Sequence, residues 1–204
     1  MNLTDEALRA FSKEHLSYEI NMLRETYRCL RVKSKPELEW VYEMALLESF
    51  TLHVRVLTLF LFRQRNKVDD VIAEDYMSSP ELWKGKRGDE PRILAGAVTR
   101  IGKEFAHLTS SRKMALGEKE WNPYEIVNEV NKALQQFTQQ AVETRLDNGC
   151  RQTITKLNDA LIEKKSTSPY CLSTRADGVT HPPNPEHFDT IHIIGSMQKK
   201  GGGE

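Results

Sequence analysis

The chain has 204 residues, which is enough for one domain with a substantial core or for one domain and a tail. Its 29 basic and 29 acidic residues cancel, so the composition excludes a protein that binds nucleic acid through gross net charge, although it allows a local basic patch. Cys29, Cys150 and Cys171 lack paired spacing, and the N-terminus lacks a signal-peptide pattern. We therefore expect a cytoplasmic protein in a reducing environment rather than a secreted, disulfide-bonded one.

Apolar residues recur at helical spacing through most of the chain, which predicts an all-α fold. Thr4, followed by two acids, is a good helix start, and the first helix is expected to reach about Arg31. Pro36 suits the first turn of a second long helix, which includes the apolar stretch 46–62. That stretch is charged in places and shorter than the ~20 apolar residues of a membrane span. It predicts a central helix that is covered by partner helices.

The connection that follows is predicted to be a long loop, both acidic and basic. Residues 63–91 contain pairs of acids, two prolines and a basic run that begins at Lys84. This composition allows at most one short helical turn. Connections of this length are often functional, and Pro91 opens the next helix.

Two further helices are predicted near the end of the apolar pattern. Asn122 before Pro123 is a start signal, because asparagine caps helices well and proline suits the first turn. That helix is expected to end or bend at 148–149, ahead of a short last helix over 150–164. No pair of alternating strand segments is evident, so the fold class is an all-α bundle of four to five helices.

The composition changes at Ser166. Serine, threonine, proline and glycine dominate from there to the C-terminus. Such segments bury too little apolar surface to offset the entropy of ordering. We predict a helical domain over residues 1–165 and a poorly ordered tail over residues 166–204.

Arg100, Glu104 and His107 are the most suggestive constellation of the chain. On an uninterrupted α-helix, residues seven apart differ by about 20° around the axis, so Arg100 and His107 share a face about 10 Å apart, with Glu104 between them. Arginine binds phosphate oxygens with its planar fork, and histidine transfers protons near neutral pH. The alternative is a solvated Arg–Glu pair with an incidental histidine nearby.

An arginine and a histidine with four to six residues between them, on a helix of a compact four- to five-helix domain, resemble the HEPN superfamily. Six residues separate Arg100 from His107 in this chain. The sequence departs from many HEPN ribonucleases directly after the arginine, where Ile101 replaces a polar residue.

Two other segments are similar to the abortive-infection type of HEPN domain. The first is Glu-Ser-Phe-Thr-Leu-His-Val-Arg over residues 48–55, in the second long helix. The second is Ala-His-Leu-Thr over residues 106–109, with Arg112 shortly after it. The resemblance covers roughly residues 5–145.

The resemblance implies an endoribonuclease that acts as a homodimer and needs neither metal nor cofactor. Many HEPN proteins are ribonucleases of toxin–antitoxin, abortive-infection and CRISPR systems, so RNA and a cognate antitoxin or regulator are the implied partners. His107 would act as general base or acid and Arg100 would stabilise the developing charge, with Glu104 in the same site. The alternative is a non-catalytic helical module that dimerises or binds a partner. No membrane association is expected.

The second long helix supplies further candidates for the cleft. His53 is interpreted either as a core histidine hydrogen-bonded to a partner or as a residue close to Arg100. Glu48 and Arg55 lie on one face, either as a structural ion pair or as a second layer behind the site, which Arg112 would join.

A basic cluster in the long loop is a candidate RNA-binding surface. Lys84, Lys86 and Arg87 would hold the RNA backbone, and Trp83 would stack a base. The alternative is a solvated loop with Trp83 packed inward.

No metal site is predicted. The loop acids are interpreted as solvated, and the spacing of the C-terminal candidates fits no compact zinc module. The residues considered are Asp69, Asp70, Glu74 and Asp75 in the loop, and Cys171, His181, His187 and His192 near the C-terminus.

Overall fold

Helices build the fold. The computed structural model describes residues 3–31, 39–106, 119–162 and 172–174. The α-helices are α1 (Asp5–Phe11), α2 (Ser17–Leu30), α3 (Glu39–Phe62), α4 (Pro80–Arg87), α5 (Arg92–Ile101), α6 (Pro123–Gln140) and α7 (Asn148–Ile162). A π-helical turn, Ser12–Leu16, makes α1 and α2 one continuous rod, and a second, Gly102–Ala106, extends α5. The described residues therefore hold about six helices, which confirms the all-α class but exceeds the predicted four to five.

Two short strands accompany the helices. Lys119–Trp121 (β1) pairs antiparallel with Leu172–Thr174 (β2), and Trp121 lies opposite Leu172. This pair was not predicted, because strands of three residues are too short to show an alternating pattern. β2 falls within the predicted tail. The other residues after 162, including the boundary at 165, lie outside the described part of the chain.

The helix starts follow their predicted caps. The Thr4 hydroxyl oxygen accepts a hydrogen bond from the Ala7 amide at 3.2 Å, at the start of α1. The Asn122 side-chain oxygen accepts one from the Glu125 amide at 3.1 Å, at the start of α6. Each bond satisfies an amide that has no partner inside its own helix, so both predicted starts are confirmed.

The π-helical turn between α1 and α2 is held by two serines. Ser12 is fully buried, and its hydroxyl donates to the Arg9 carbonyl at 2.8 Å and accepts from the Asp147 amide at 3.0 Å. The Ser17 hydroxyl donates to the Ser12 carbonyl at 2.9 Å. The two hydroxyl groups thus donate hydrogen bonds to backbone carbonyls at this turn. In a π-helix the backbone hydrogen bonds run between residues i and i+5.

One face of α3 has no cover among the described residues. α3 packs against α2, α5 and α6. Partners therefore cover it on these sides, as predicted, but the described residues do not cover the α3 stripe, which we define as Val41, Ala45, Leu52 and Val56. Val41 is 59% exposed and Leu52 is 54% exposed. The stripe residues follow at steps of four, seven and four, so they lie on one face of the helix.

Four aromatic side chains form the centre of the core. Phe137 of α6 is fully buried and meets the rings of Phe60, Tyr76 and Trp83 edge-on. The centroid separations are 5.3, 5.4 and 6.1 Å, within the range of favourable aromatic pairs. The cluster joins α3, α4 and α6 to the 3₁₀ turn Ala73–Tyr76.

Residues 63–91 contain more helix than predicted. The 3₁₀ turn is followed by α4, Pro80–Arg87, so the expectation of a loop with at most one helical turn is wrong over that range. Trp83 is the physical reason, because its ring is buried against Phe137 and only 1% exposed. A tertiary contact of one large ring fixes a segment too short to show a periodic pattern.

α6 ends earlier than predicted, at Gln140 rather than near residue 148. The Val142 amide donates to the Tyr76 carbonyl at 2.9 Å instead of continuing the helix. A short loop then leads into α7, which begins at Asn148. The chain thus leaves the helix because a distant segment offers a hydrogen bond.

Arg145 ties this loop to two other parts of the fold. Its Nε donates to the Asp5 carboxylate at 2.7 Å, at the start of α1. Its Nη1 donates to the carbonyls of Asp75 and Met77 at 3.1 and 2.7 Å. One guanidinium therefore connects the first helix, the 3₁₀ turn and the α6–α7 loop.

The Asp5→Asn protein is expected to lose less stability than wild type as the pH falls from about 5 to about 2. Hydrogen bonds from Thr144 and Arg145 hold the pKa of Asp5 below its usual range. The carboxylate therefore stabilises the fold fully above its unfolded pKa of about 3.9, and this contribution is lost as the pH falls through the lower folded value. Urea unfolding at a series of pH values measures the effect. Asp69→Asn, at an exposed loop acid, is the control; equal pH slopes for Asp5→Asn and wild type would contradict the prediction.

Candidate functional site

Arg100 is held in place at the end of α5. Its side chain is half-buried, and its guanidinium carbon lies 4.1 Å from the centroid of the Trp121 ring. Trp121 is 1% exposed, so the ring is a fixed surface. A cation over an aromatic face at this distance is attracted by the ring quadrupole. The sequence did not indicate Trp121 as a partner, because the contact joins α5 to a short strand 21 residues later.

The backbone after Arg100 departs from the geometry on which the shared-face prediction rests. Residues Gly102–Ala106 form a π-helical turn, in which each residue turns the chain by less than in an α-helix. The calculated offset of about 20° assumed an unbroken α-helix and does not apply to this turn. Glu104 lies in the π-helical turn, and His107 and Arg112 lie outside the described residues.

His53 is a core histidine. It is 4% exposed, and its Nδ1 lies 2.7 Å from a carboxylate oxygen of Glu19. The Tyr18 and His53 rings meet edge to face, with centroids 5.9 Å apart. This confirms the interpretation of a buried, hydrogen-bonded histidine, and Glu19 of α2 is the partner that the sequence did not reveal.

Glu48 and Arg55 do not pair. Glu48 is exposed, and no ion pair joins it to Arg55, both of which lie in the described part of α3. Arg55 is half-buried and instead lines a large cavity. The ion-pair interpretation is therefore wrong, because residues seven apart on an α-helix are separated by about 10 Å along its axis.

The cavity has a volume of about 1000 Å³ and lies where three segments meet. They are the rod formed by α1 and α2, the C-terminal half of α3 with the loop after it, and the end of α4. The lining residues are Phe11, His15, Leu16, Glu19, Arg55, Val56, Leu57, Leu59, Phe60, Phe62, Arg63, Gln64, Asn66, Lys67, Asp70, Val71, Ile72 and Arg87. It therefore gathers one predicted cleft residue, Arg55, and one predicted RNA-binding residue, Arg87.

The three predicted RNA-binding cations have different surroundings. Arg87 donates from Nη1 to the Leu61 carbonyl at 3.0 Å, and its guanidinium carbon lies 5.5 Å from the centroid of the Phe62 ring. Lys84 lies 3.5 Å from a carboxylate oxygen of Glu74, and Lys86 is exposed. Trp83 is buried, as the alternative interpretation predicted, but in a helix rather than a loop. RNA binding by these cations stays a prediction.

Arg87→Ala is expected to lower the free energy of unfolding by about 1.5–3 kcal/mol, the usual worth of a hydrogen bond from a charged group. The Leu61 carbonyl is in the last turn of α3 and has no partner within its own helix, so Arg87 supplies one. The matched control is Lys86→Ala, one residue earlier and exposed, which should change stability by less than about 0.5 kcal/mol. Urea unfolding followed by circular dichroism compares them, and equal effects would contradict the role of Arg87.

The acids of the loop bind neighbouring groups. Asp70 accepts hydrogen bonds from the amides of Lys67 and Asn66, which lower its pKa. Asp75 accepts one from the Ile72 amide at 2.9 Å and pairs with Arg65. Asp70 and Asp75 thus stabilise the loop rather than being only solvated as predicted, whereas Asp69 is exposed.

Two further chemical features bear on the kind of site present. Within the described ranges, no group of three or more histidine, cysteine or acidic side chains is placed to hold a metal ion. The C-terminal candidates Cys171, His181, His187 and His192 lie outside those ranges. Burial raises the pKa of Cys150 to about 11, so this thiol is a poor nucleophile at neutral pH.

α3 also bears on membrane association. Within the described residues one helical segment, Val41–Phe62, is long and apolar enough to cross a membrane by length and composition alone. However, 56% of its most apolar stretch is buried inside the fold. The core helix of a soluble protein can have the same length and composition, so this is weak evidence for a membrane span.

Comparison of the chain with protein-family models, curated proteins and solved structures found no significant match.

Proposed function

We propose that the protein is a metal-independent endoribonuclease of a bacterial defence or toxin–antitoxin system, acting as a homodimer. The observation that supports this most is the position of Arg100. Its guanidinium is stacked on a buried tryptophan directly before a π-helical turn, a feature that occurs often at functional sites. His107, the histidine of the HEPN-like pattern, follows that turn in the sequence.

Arg100 suits the electrostatic part of this chemistry. In the proposed reaction the 2′-hydroxyl of RNA attacks the adjacent phosphorus, and the bond to the 5′-oxygen breaks. His107 takes or delivers the proton, and the arginine stabilises negative charge on the phosphoryl oxygens. A guanidinium already fixed over a ring needs little reorganisation, and reorganisation is the main cost in such stabilisation. The products are a 2′,3′-cyclic phosphate and a 5′-hydroxyl.

RNA cleavage by the purified full chain tests the proposal. The substrate is a single-stranded oligoribonucleotide with a fluorescent label at its 5′ end, incubated with and without EDTA. We expect cleavage at equal rates in both conditions. An uncut substrate, or cleavage that EDTA abolishes, would contradict the proposal.

A second candidate function, a helical module that dimerises or binds a protein partner, is supported by a different observation. The α3 stripe presents apolar side chains of a central helix to solvent, and exposed apolar patches mark interaction sites. A partner that covers Val41 and Leu52 would remove apolar surface from water. This candidate does not require Arg100 or His107 to react.

Leu52→Lys is expected to convert a dimer built through the α3 stripe into a monomer. The substitution places a charge in the middle of the stripe, at a residue that is 54% exposed in the single chain. Light scattering at micromolar concentration measures the mass, and Lys13→Gln, at an exposed residue of the first rod, is the control. A wild-type monomer of 23.5 kDa would count against dimer formation in both candidates.

A further inference from the structure

The cavity between the first rod, α3 and α4 has an apolar, partly aromatic floor. Leu16, Leu57, Phe60 and Phe62 line it and are at most 8% exposed, so their contacts are fixed by the core. The Phe11 and His15 rings, with centroids 4.8 Å apart, lie on the same lining. Ligand sites in proteins are typically cavities of this size, mostly apolar with a few placed polar groups.

The charge around this floor is mainly positive. Arg55, Arg63, Lys67 and Arg87 line the cavity, against the carboxylates of Glu19 and Asp70. Both carboxylates are already engaged. Glu19 lies 2.7 Å from the His53 ring nitrogen. Asp70 accepts the backbone amides of Asn66 and Lys67 at 3.1 and 2.8 Å.

The cations, by contrast, have few acidic partners. Among the described residues, neither Arg55 nor Lys67 has a carboxylate within ion-pairing distance, and the closest carboxylate oxygen to Arg63 is that of Glu90, at 4.0 Å. Like charges that line one cavity repel each other, and an anion bound there reduces that repulsion. The arrangement is therefore complementary to a negative group.

The end of α3 would oppose an anion if its carbonyls were open, because the C-terminus of a helix carries partial negative charge. Arg87 satisfies one of these carbonyls, with Nη1 donating to the Leu61 oxygen at 3.0 Å. The first rod forms another side of the cavity, where the π-helical turn Ser12–Leu16 contributes His15 and Leu16 to the lining. Such turns are frequent at functional sites.

We propose that this cavity binds a small organic phosphate, with its phosphate among Arg55, Arg63 and Lys67 and its apolar or aromatic body on the floor. Arginine binds phosphate oxygens through two parallel N–H donors, and the buried rings accept a flat or aliphatic group. The inference does not rest on the proposed ribonuclease activity, because neither Arg100 nor Trp121 lines the cavity.

Calorimetric titration of the full chain tests the site. The probes are 1-naphthyl phosphate and adenosine 5′-monophosphate, compared with inorganic phosphate, which lacks the body, and adenosine, which lacks the charge. We expect both organic phosphates to bind at least about tenfold more tightly than either control, since charge and apolar contact both contribute. The absence of binding by both organic phosphates at millimolar concentration would overturn the proposal.

Variants locate the binding. Arg55→Gln removes a cation that has no hydrogen bond among the described residues, so the melting temperature should not change while affinity falls about 10- to 100-fold. Lys86→Gln, an exposed cation outside the cavity, should bind as wild type. Equal weakening by both variants would overturn the site.

Binding of a single-stranded oligoribonucleotide in place of the small phosphates would also overturn the proposal and would indicate that the cavity binds RNA. Arg100→Ala should bind the probes normally, which separates this result from failure of the ribonuclease proposal.

Discussion

Arg100→Ala protein is expected to cleave single-stranded RNA about 10²- to 10³-fold more slowly than wild type, the usual loss when one group that stabilises a developing oxyanion is removed. The Arg100→Lys variant tests whether the positive charge alone is sufficient. A lysine keeps a cation over Trp121 but lacks the planar fork that binds two phosphate oxygens. We expect the lysine variant to lose most of the activity and to melt at nearly the wild-type temperature.

His107→Ala is expected to abolish cleavage, because the reaction then lacks its general acid or base. We expect the variant to keep the helical content of the wild-type protein. The Arg100→Ala and His107→Ala variants are assayed with the labelled oligoribonucleotide in EDTA, and their thermal unfolding is followed by circular dichroism. Wild-type activity in either alanine variant would remove that residue from the proposed chemistry. Unfolding of His107→Ala would favour the partner-binding candidate.

Phe137→Ala is expected to lower the free energy of unfolding by about 3–5 kcal/mol, the largest stability effect we predict. The ring is fully buried and contacts Phe60, Tyr76 and Trp83 edge-on, so its removal leaves a cavity between α3, α4 and α6. Urea unfolding measures the loss, and the slope with denaturant should stay constant.

The control for this experiment lies on the same helix. Gln136 is exposed, and Gln136→Ala should change stability by less than about 0.5 kcal/mol. A Phe137→Ala loss below about 1 kcal/mol would show that the aromatic cluster is not the centre of the core.

Local sequence signals were sufficient to predict where α1 and α6 begin. Thr4 and Asn122 each bond an amide three residues ahead, so a window of four residues contains all of the interaction. The all-α class follows from the same reasoning, because apolar spacing is a property of consecutive residues. These parts of the fold were therefore predictable from the sequence.

Long-range contacts set the features that were missed. α6 ends at Gln140 because the Val142 amide bonds the Tyr76 carbonyl, 66 residues earlier in the chain. The burial of Trp83 fixes α4 in the same way. Neither partner is recognisable from the sequence near the affected residue, so periodicity alone predicts a longer α6 and a mostly unstructured loop before α5.

For the candidate sites too, residue types were predictable from the sequence, whereas their arrangement in space was not. Arg100 and His107 could be chosen from the sequence by their residue types. The prediction that they share a face assumed an unbroken α-helix, and the π-helical turn after Ile101 departs from that geometry. Arg55 and Arg87 were identified separately, as a cleft residue and an RNA-binding residue. Only the contact of Arg87, the last residue of α4, with the end of α3 shows that both arginines line one cavity.

Analysis of the cut ends tests metal-independent cleavage through the 2′-hydroxyl most directly. Wild-type protein is incubated in EDTA with an oligoribonucleotide and with a copy that carries one 2′-deoxy nucleotide at the mapped cleavage position. We expect a 2′,3′-cyclic phosphate and a 5′-hydroxyl from the first, and no cut at the altered position in the second. Cleavage at the 2′-deoxy position, or a product that ends in a 3′-hydroxyl, would contradict it.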